Sequence, residues 1–139
     1  MRLRRALNGL SDKVIGVLGI SFKPNTDDIR EAPALEIIHL LQNEGATVRA
    51  YDPAAMEVAA EELPKVTLCK DPYEVAQGTD AILLATEWNE FKHLDFERIR
   101  QVVRQPIILD GRNLWDRQWL ERLGFTYYGI GQGVHVNGE

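Results

Sequence analysis

Cysteine is nearly absent from this sequence, with Cys69 the only one among 139 residues. A disulfide framework is therefore excluded, and a metal site would have to rest on carboxylates and three scattered histidines. No metal is expected. Positive charge is not in excess either, since 16 Lys and Arg stand against 21 Asp and Glu for a net charge of −5. Nucleic acids and anionic membranes are bound through a broad basic face, so neither is an expected partner. There is no apolar run of about 18 residues to cross a bilayer, and MRLRRALNGL lacks the apolar centre of a signal peptide. A reducing cytoplasm is the expected location.

Familiar chemical signatures are missing as well. The loop after the first apolar run holds no G-x-G-x-x-G and no G-K-[ST], so it is neither a dinucleotide fingerprint nor a phosphate cradle. A receiver-type phosphoacceptor needs an acidic pair after the first strand and a lysine after the fifth, where this chain has Gly19-Ile20 and Arg112. No Ser-His-Asp set is evident, and Cys69 lies within or just after a strand without a partner base. His39 falls on an apolar helix face, which predicts a packed core histidine, while His93 and His135 are expected in solvent. No catalytic residue is assigned.

What the sequence does have is a regular alternation of strands and helices. KVIGVLGI (13–20) reads as a strand, ALEIIHLLQNEGA as an amphipathic helix stopped at Gly45, and TVRAYDP as a strand ending at Asp52. AMEVAAEELP is a short helix, VTLCK a third strand and DPYEVAQGT a further helical turn or two. DAILLAT is the most apolar run and the best central strand, because parallel strands covered on both faces lose their polar alternation. EFKHLDFERIRQVV predicts one helix, PIILDGR a fifth strand, DRQWLERLG a helix and FTYYGIG a sixth strand. The expected fold is a single α/β domain over residues 12–132, Rossmann-like and doubly wound, with a mostly parallel six-stranded sheet and helices on both faces. Residues 1–11 read as the stump of a linking helix and 133–139 as a frayed tail.

Ligands of such sheets bind beyond the carboxyl ends of the strands, which directs attention to loops 19–33, 52–55, 86–92 and 110–116. Asp52 stands where a ribose-binding acid would, but an Asp-Pro there more often caps the next helix. Trp88 is placed where it could cap a pocket, but on successive turns Trp88 and Phe91 more often are core packing, and Glu87 more often caps the helix. The stretch GISFKPNTDDIREAP crowds Lys23, Asp27, Asp28, Arg30 and Glu31 between two prolines. Lys23 follows Phe22 and precedes Pro24, which limits where its amine can go and favours a ligand contact over a solvated lysine. Arg30 and Arg112 leave the same edge of the sheet and suit a phosphate. Ion pairs with Asp27, Asp28 or Asp110 would explain them equally well.

GISFKPNTDDIREAP followed by ALEII, EGATVRAYDP, ATEWNEF and ILDGRNLWD resembles the C-terminal, UDP-binding domain of the UDP-glucose/GDP-mannose dehydrogenase family, over about Ser11 to Gln132. The resemblance implies a larger enzyme that oxidises a nucleotide sugar at C6 by two hydride transfers to NAD. It implies that Lys23 and Arg112 contact the UDP-sugar and that Arg30 reaches the NAD. It also implies N-terminal and middle domains, the latter carrying a dimer interface, that this chain does not contain, nor does Cys69 match the nucleophilic cysteine. The expectation is an inactive fragment of a homo-oligomeric, NAD-dependent dehydrogenase. The ATEW and FKP forms favour UDP-glucose over UDP-N-acetylmannosamine or GDP-mannose as the substrate. A free-standing nucleotide-binding or regulatory module of the same fold is the alternative.

Overall fold

Six strands order the described residues of this chain: β1 (Val14–Leu18), β2 (Thr47–Tyr51), β3 (Thr67–Leu68), β4 (Ala81–Leu84), β5 (Ile107–Asp110) and β6 (Thr126–Gly129). Between them run α1 (Pro33–Asn43), α2 (Met56–Glu62), α3 (Pro72–Ala76), α4 (Phe96–Val102) and α5 (Arg117–Arg122). The structure is a computed structural model and describes residues 9–21, 23–29 and 32–129. All strands pair in parallel, in the order β3-β2-β1-β4-β5-β6. The alternation of elements along the sequence thus gives the doubly wound sheet it predicts.

Strand periodicity sorts the core into two layers. Ile15 and Val17 of β1, Val48 and Ala50 of β2, and Ala81 and Leu83 of β4 pack with Ile38 and Leu41 of α1 and Ala59 of α2. The opposite face carries Leu18, Ile82, Leu84 and Ile108 against Val75 of α3, Phe96 and Ile99 of α4 and Leu120 of α5. Both faces of β4 are covered, which is why AILL carries no polar residue. Gly16 lets α3 sit close to β1, since a Cβ there would lie 2.7 Å from Val75 Cγ1.

Three expectations change. β1 ends at Leu18 instead of Ile20, because Gly19 takes φ +90° and turns the chain out of the sheet. EFKHLDFERIRQVV is two pieces, a 3₁₀ turn (Asn89–His93) and α4, separated by Leu94 at ψ 147°. Asp95 starts α4 by accepting the Arg98 N–H at 3.1 Å. His39 is exposed, so the apolar stripe of α1 passes beside it. His93 is exposed as expected, and Leu10 is buried in the core. His135, Phe22, the 1–8 segment and the 133–139 tail lie outside the described residues.

Candidate functional site

The strand order reverses between β1 and β4, which carry the chain away in opposite directions and leave a crevice beyond their carboxyl ends. Two loops leave there, and they are fastened to each other. The Gly19 N–H donates to the Tyr51 carbonyl at 2.8 Å and the Ala85 N–H to the Leu18 carbonyl at 2.9 Å. Thr86 Oγ1 donates to the Ser21 carbonyl at 2.7 Å.

Asp52, at the end of β2, is the knot of this region and is completely buried. Its Oδ2 accepts from the Ile20 N–H (2.7 Å), the Ser21 N–H (2.9 Å), the Ser21 hydroxyl (2.8 Å) and the Trp88 indole N–H (3.2 Å). Its Oδ1 accepts from the Ala54 and Ala55 N–H groups at 2.8 and 2.9 Å. The helix-cap expectation is therefore corrected. Asp52 closes the turn ahead of α2, whose own N-cap is Ala55 with no side-chain bond, and it ties that turn to the loops after β1 and β4. Burial alone would raise its pKa, but donors from Ser21, Ile20 and Ala54 outweigh burial and hold the carboxyl below its ordinary value of 3.8.

Lys23 projects from this anchored base. It is exposed, two residues past Ser21, and the chain turns beyond it through Asn25 at φ 67°. The Asp28 N–H then donates to Thr26 Oγ1 at 3.2 Å, closing the next turn. Arg30 lies outside the described residues. A cavity of about 730 Å³ opens on the α1–α2 side of this loop, lined by Asp27, Asp28, Ile29, Leu35, Val58 and Glu62. Among the described residues its lining carries three carboxylates, and neither Lys23 nor Arg112 is among them.

Arg112 leaves the end of β5 on a turn that is also pinned from beneath. Asp110 is buried and accepts the Arg112 N–H (3.0 Å) on Oδ1, with the Trp115 N–H (2.8 Å) and the Tyr127 hydroxyl (2.7 Å) on Oδ2. The guanidinium pairs with Glu87, Nε to Oε1 and Nη2 to Oε2, both at 3.1 Å. So the partner of Arg112 is none of the three aspartates expected, and Glu87 does not cap the turn that follows it. Burial pushes the Glu87 carboxyl up, but the Arg112 bonds prevail and hold it below its ordinary value of 4.5. Trp88 is half-buried and only partly a core residue, since its indole N–H is spent on Asp52 and on Ser21 Oγ at 3.1 Å. Phe91 is fully buried, as expected. Glu87 and Ser21 were not legible as site residues, and the choice for Trp88 between pocket and core could not be made, because nothing in spacing tells which loops will touch.

The model of the UDP-glucose/GDP-mannose dehydrogenase family, UDP binding domain, matches residues 16–117. A UDP-glucose 6-dehydrogenase of Rhizobium meliloti (strain 1021) is 43% identical over 118 residues, 85% of this chain and 27% of that protein. UDP-glucose 6-dehydrogenase TuaD of Bacillus subtilis (strain 168) is 40% identical over 94% of this chain and 29% of its own length. Among solved structures, a UDP-glucose dehydrogenase from the hyperthermophilic archaeon Pyrobaculum islandicum superposes with a TM-score of 0.77 at 36% identity, over 92% of this chain and 27% of that one. A UDP-D-ManNAc dehydrogenase from Pyrococcus horikoshii gives a TM-score of 0.76 at 34% identity, over 95% and 29% of the two chains.

Proposed function

This chain belongs to the UDP-glucose/GDP-mannose dehydrogenase family, as its UDP binding domain, and we propose that it holds the nucleotide of a UDP-sugar for an NAD-dependent 6-dehydrogenase. The observation that carries the reading is the placement of Lys23 and Arg112. Both lie within the matched segment 16–117, on loops at the carboxyl edge of the sheet beside the reversal of strand order. A flexible ammonium and a planar guanidinium on one edge are suited to the two phosphates of a UDP group, the guanidinium by paired N–H donation. The backbone of each loop is fixed by a buried carboxylate, Asp52 for one and Asp110 for the other, so each cation is mounted on rigid structure.

NAD does not fit this domain in the usual way. The acid at the end of β2 that would take a ribose is Asp52, and its oxygens already accept six donors of this chain in a buried setting. The first helix begins only at Pro33, after a loop of polar residues, so no glycine turn carries a pyrophosphate to its start. The chain spans about 27–29% of the length of the relatives it matches. The cofactor and the reacting groups therefore belong, in this proposal, to N-terminal and middle domains of a longer, homo-oligomeric and cytoplasmic enzyme. Arg30 is proposed to reach the NAD across the cleft when those domains close. UDP-glucose is the favoured substrate, in keeping with the UDP-glucose 6-dehydrogenases among the relatives it matches.

Titrating the isotope-labelled chain with UDP tests the reading. Binding is expected in the high micromolar to millimolar range, since a half-site offers few contacts against the entropy of association. Amide shifts should map to the loops around Lys23 and Arg112, and Lys23→Ala should weaken binding about tenfold without moving the unfolding midpoint. Shifts confined to the acidic cavity, or none up to about 10 mM UDP, would reject the site.

A further inference from the structure

The proposed UDP site contains one ionic contact whose purpose the nucleotide does not explain. Glu87 and Arg112 face each other through two parallel N–H···O bonds, with side chains 34% and 36% exposed. An exposed pair of this kind adds little to stability. Its geometry matters more, because an arginine has five N–H groups and Glu87 takes one on Nε and one on Nη2. The two on Nη1 and the second on Nη2 remain, and they point along the far end of the guanidinium plane.

Glu87 is itself held in place. The residue before it, Thr86, is buried and donates to the Ser21 carbonyl, and the residue after it, Trp88, donates to Ser21 Oγ and Asp52. Its backbone therefore has little freedom on either side, and its side chain leaves from an anchored stretch between the loops of β1 and β5. A long arginine side chain starting from a surface turn has several rotatable bonds and loses considerable entropy when ordered by a ligand. Ordering it beforehand removes that cost from binding.

We propose that Glu87 is a positioning residue for the nucleotide diphosphate: it grips one edge of the Arg112 guanidinium and leaves the other edge presented to phosphate oxygens. This rests on the reading of Arg112 as a UDP contact. The carboxylate also carries a cost, since it adds negative charge near an anion, and the proposed role requires that alignment outweigh it. Glu87 thus acts with the ligand and does not compete with it.

The test is a set of UDP titrations of the 139-residue chain followed by NMR. Glu87→Gln, which keeps one acceptor, should raise the Kd for UDP about three- to fivefold, and Glu87→Ala about tenfold. Thermal unfolding should be unchanged for both, which separates positioning from a structural role. In an Arg112→Ala background, either Glu87 change should have no further effect on Kd. Unchanged or tighter UDP binding by the Glu87 variants, with Arg112→Ala still weakening it, would overturn the inference alone, and tighter binding would make Glu87 a competing counter-ion. If Arg112→Ala leaves UDP binding intact, the reading of the site falls and the inference with it.

Discussion

Asp52 shows how one buried side chain can organise the loops that carry the proposed site. Six donors from three separate segments converge on its two oxygens, and those of Ile20, Ser21 and Ala55 are groups that burial would otherwise leave without water. Replacing it with asparagine keeps the size but turns an amide N–H₂ toward donors, so Asp52→Asn should cost about 2–4 kcal/mol in urea unfolding. The pH dependence has a definite sign. A carboxyl held below its ordinary value of 3.8 in the native state contributes stability that is fully present above 3.8 and is lost as pH falls through the lower native value. The gap in stability between the parent and Asp52→Asn should therefore be constant near neutrality and narrow below about pH 4. A gap that widens on acidification would mean that the native carboxyl is protonated.

At the scale of elements, Gly19 is where the sheet hands over to the site. It sits at φ +90°, and a Cβ there would lie 2.5 Å from Thr86 Cβ and 2.7 Å from Thr86 N. Gly19→Ala should cost about 1–3 kcal/mol in backbone strain, with a comparable overpacking term. UDP should bind less tightly to this variant, since pushing Thr86 away also moves Glu87 and the loop of Lys23. An unfolding midpoint within the error of the parent would contradict this packing. The same region marks where sequence reading stops. The strands, the helices and their alternation were legible because each is written in local periodicity, and Gly45 and Gly124 take the positive φ expected of helix stops. The break between Asn89–His93 and α4 was not, because Phe91 and Phe96 continue an apolar stripe across it. Lys23 and Arg112 could be placed on one edge of the sheet from topology alone. The pairing of Arg112 with Glu87 could not, since it depends on side chains brought together from loops after β4 and β5.

Across the whole molecule, the two edges of the sheet have different tasks. At the amino ends of the strands Asp80 is buried and accepts from the Val14 N–H, from Arg104 through two bonds and from Gln105, a closed arrangement that fastens β1, β4 and the segment before β5. The carboxyl edge instead exposes Lys23 and Arg112, with Glu87 half-buried beside the latter. With two packed core layers and one edge closed, the chain should fold cooperatively alone and yet not catalyse. Its single thiol, Cys69, is 2% exposed beside the edge strand β3, burial pushes its pKa up, and its Sγ lies 3.8 Å from the Thr67 carbonyl. A nucleophilic thiolate needs the opposite surroundings, exposed and electropositive. Hydride transfer further needs a cofactor held in line with the substrate, and Asp52, the acid best placed to hold one, is spent on the fold. Purified chain mixed with UDP-glucose and NAD should therefore give no NADH absorbance above a blank, while the same sample shows a sharp unfolding transition and the UDP-dependent shifts described above. Turnover that scales with protein and vanishes in Cys69→Ser would place a nucleophile in this domain after all, whereas turnover that survives the substitution would point to a contaminating enzyme.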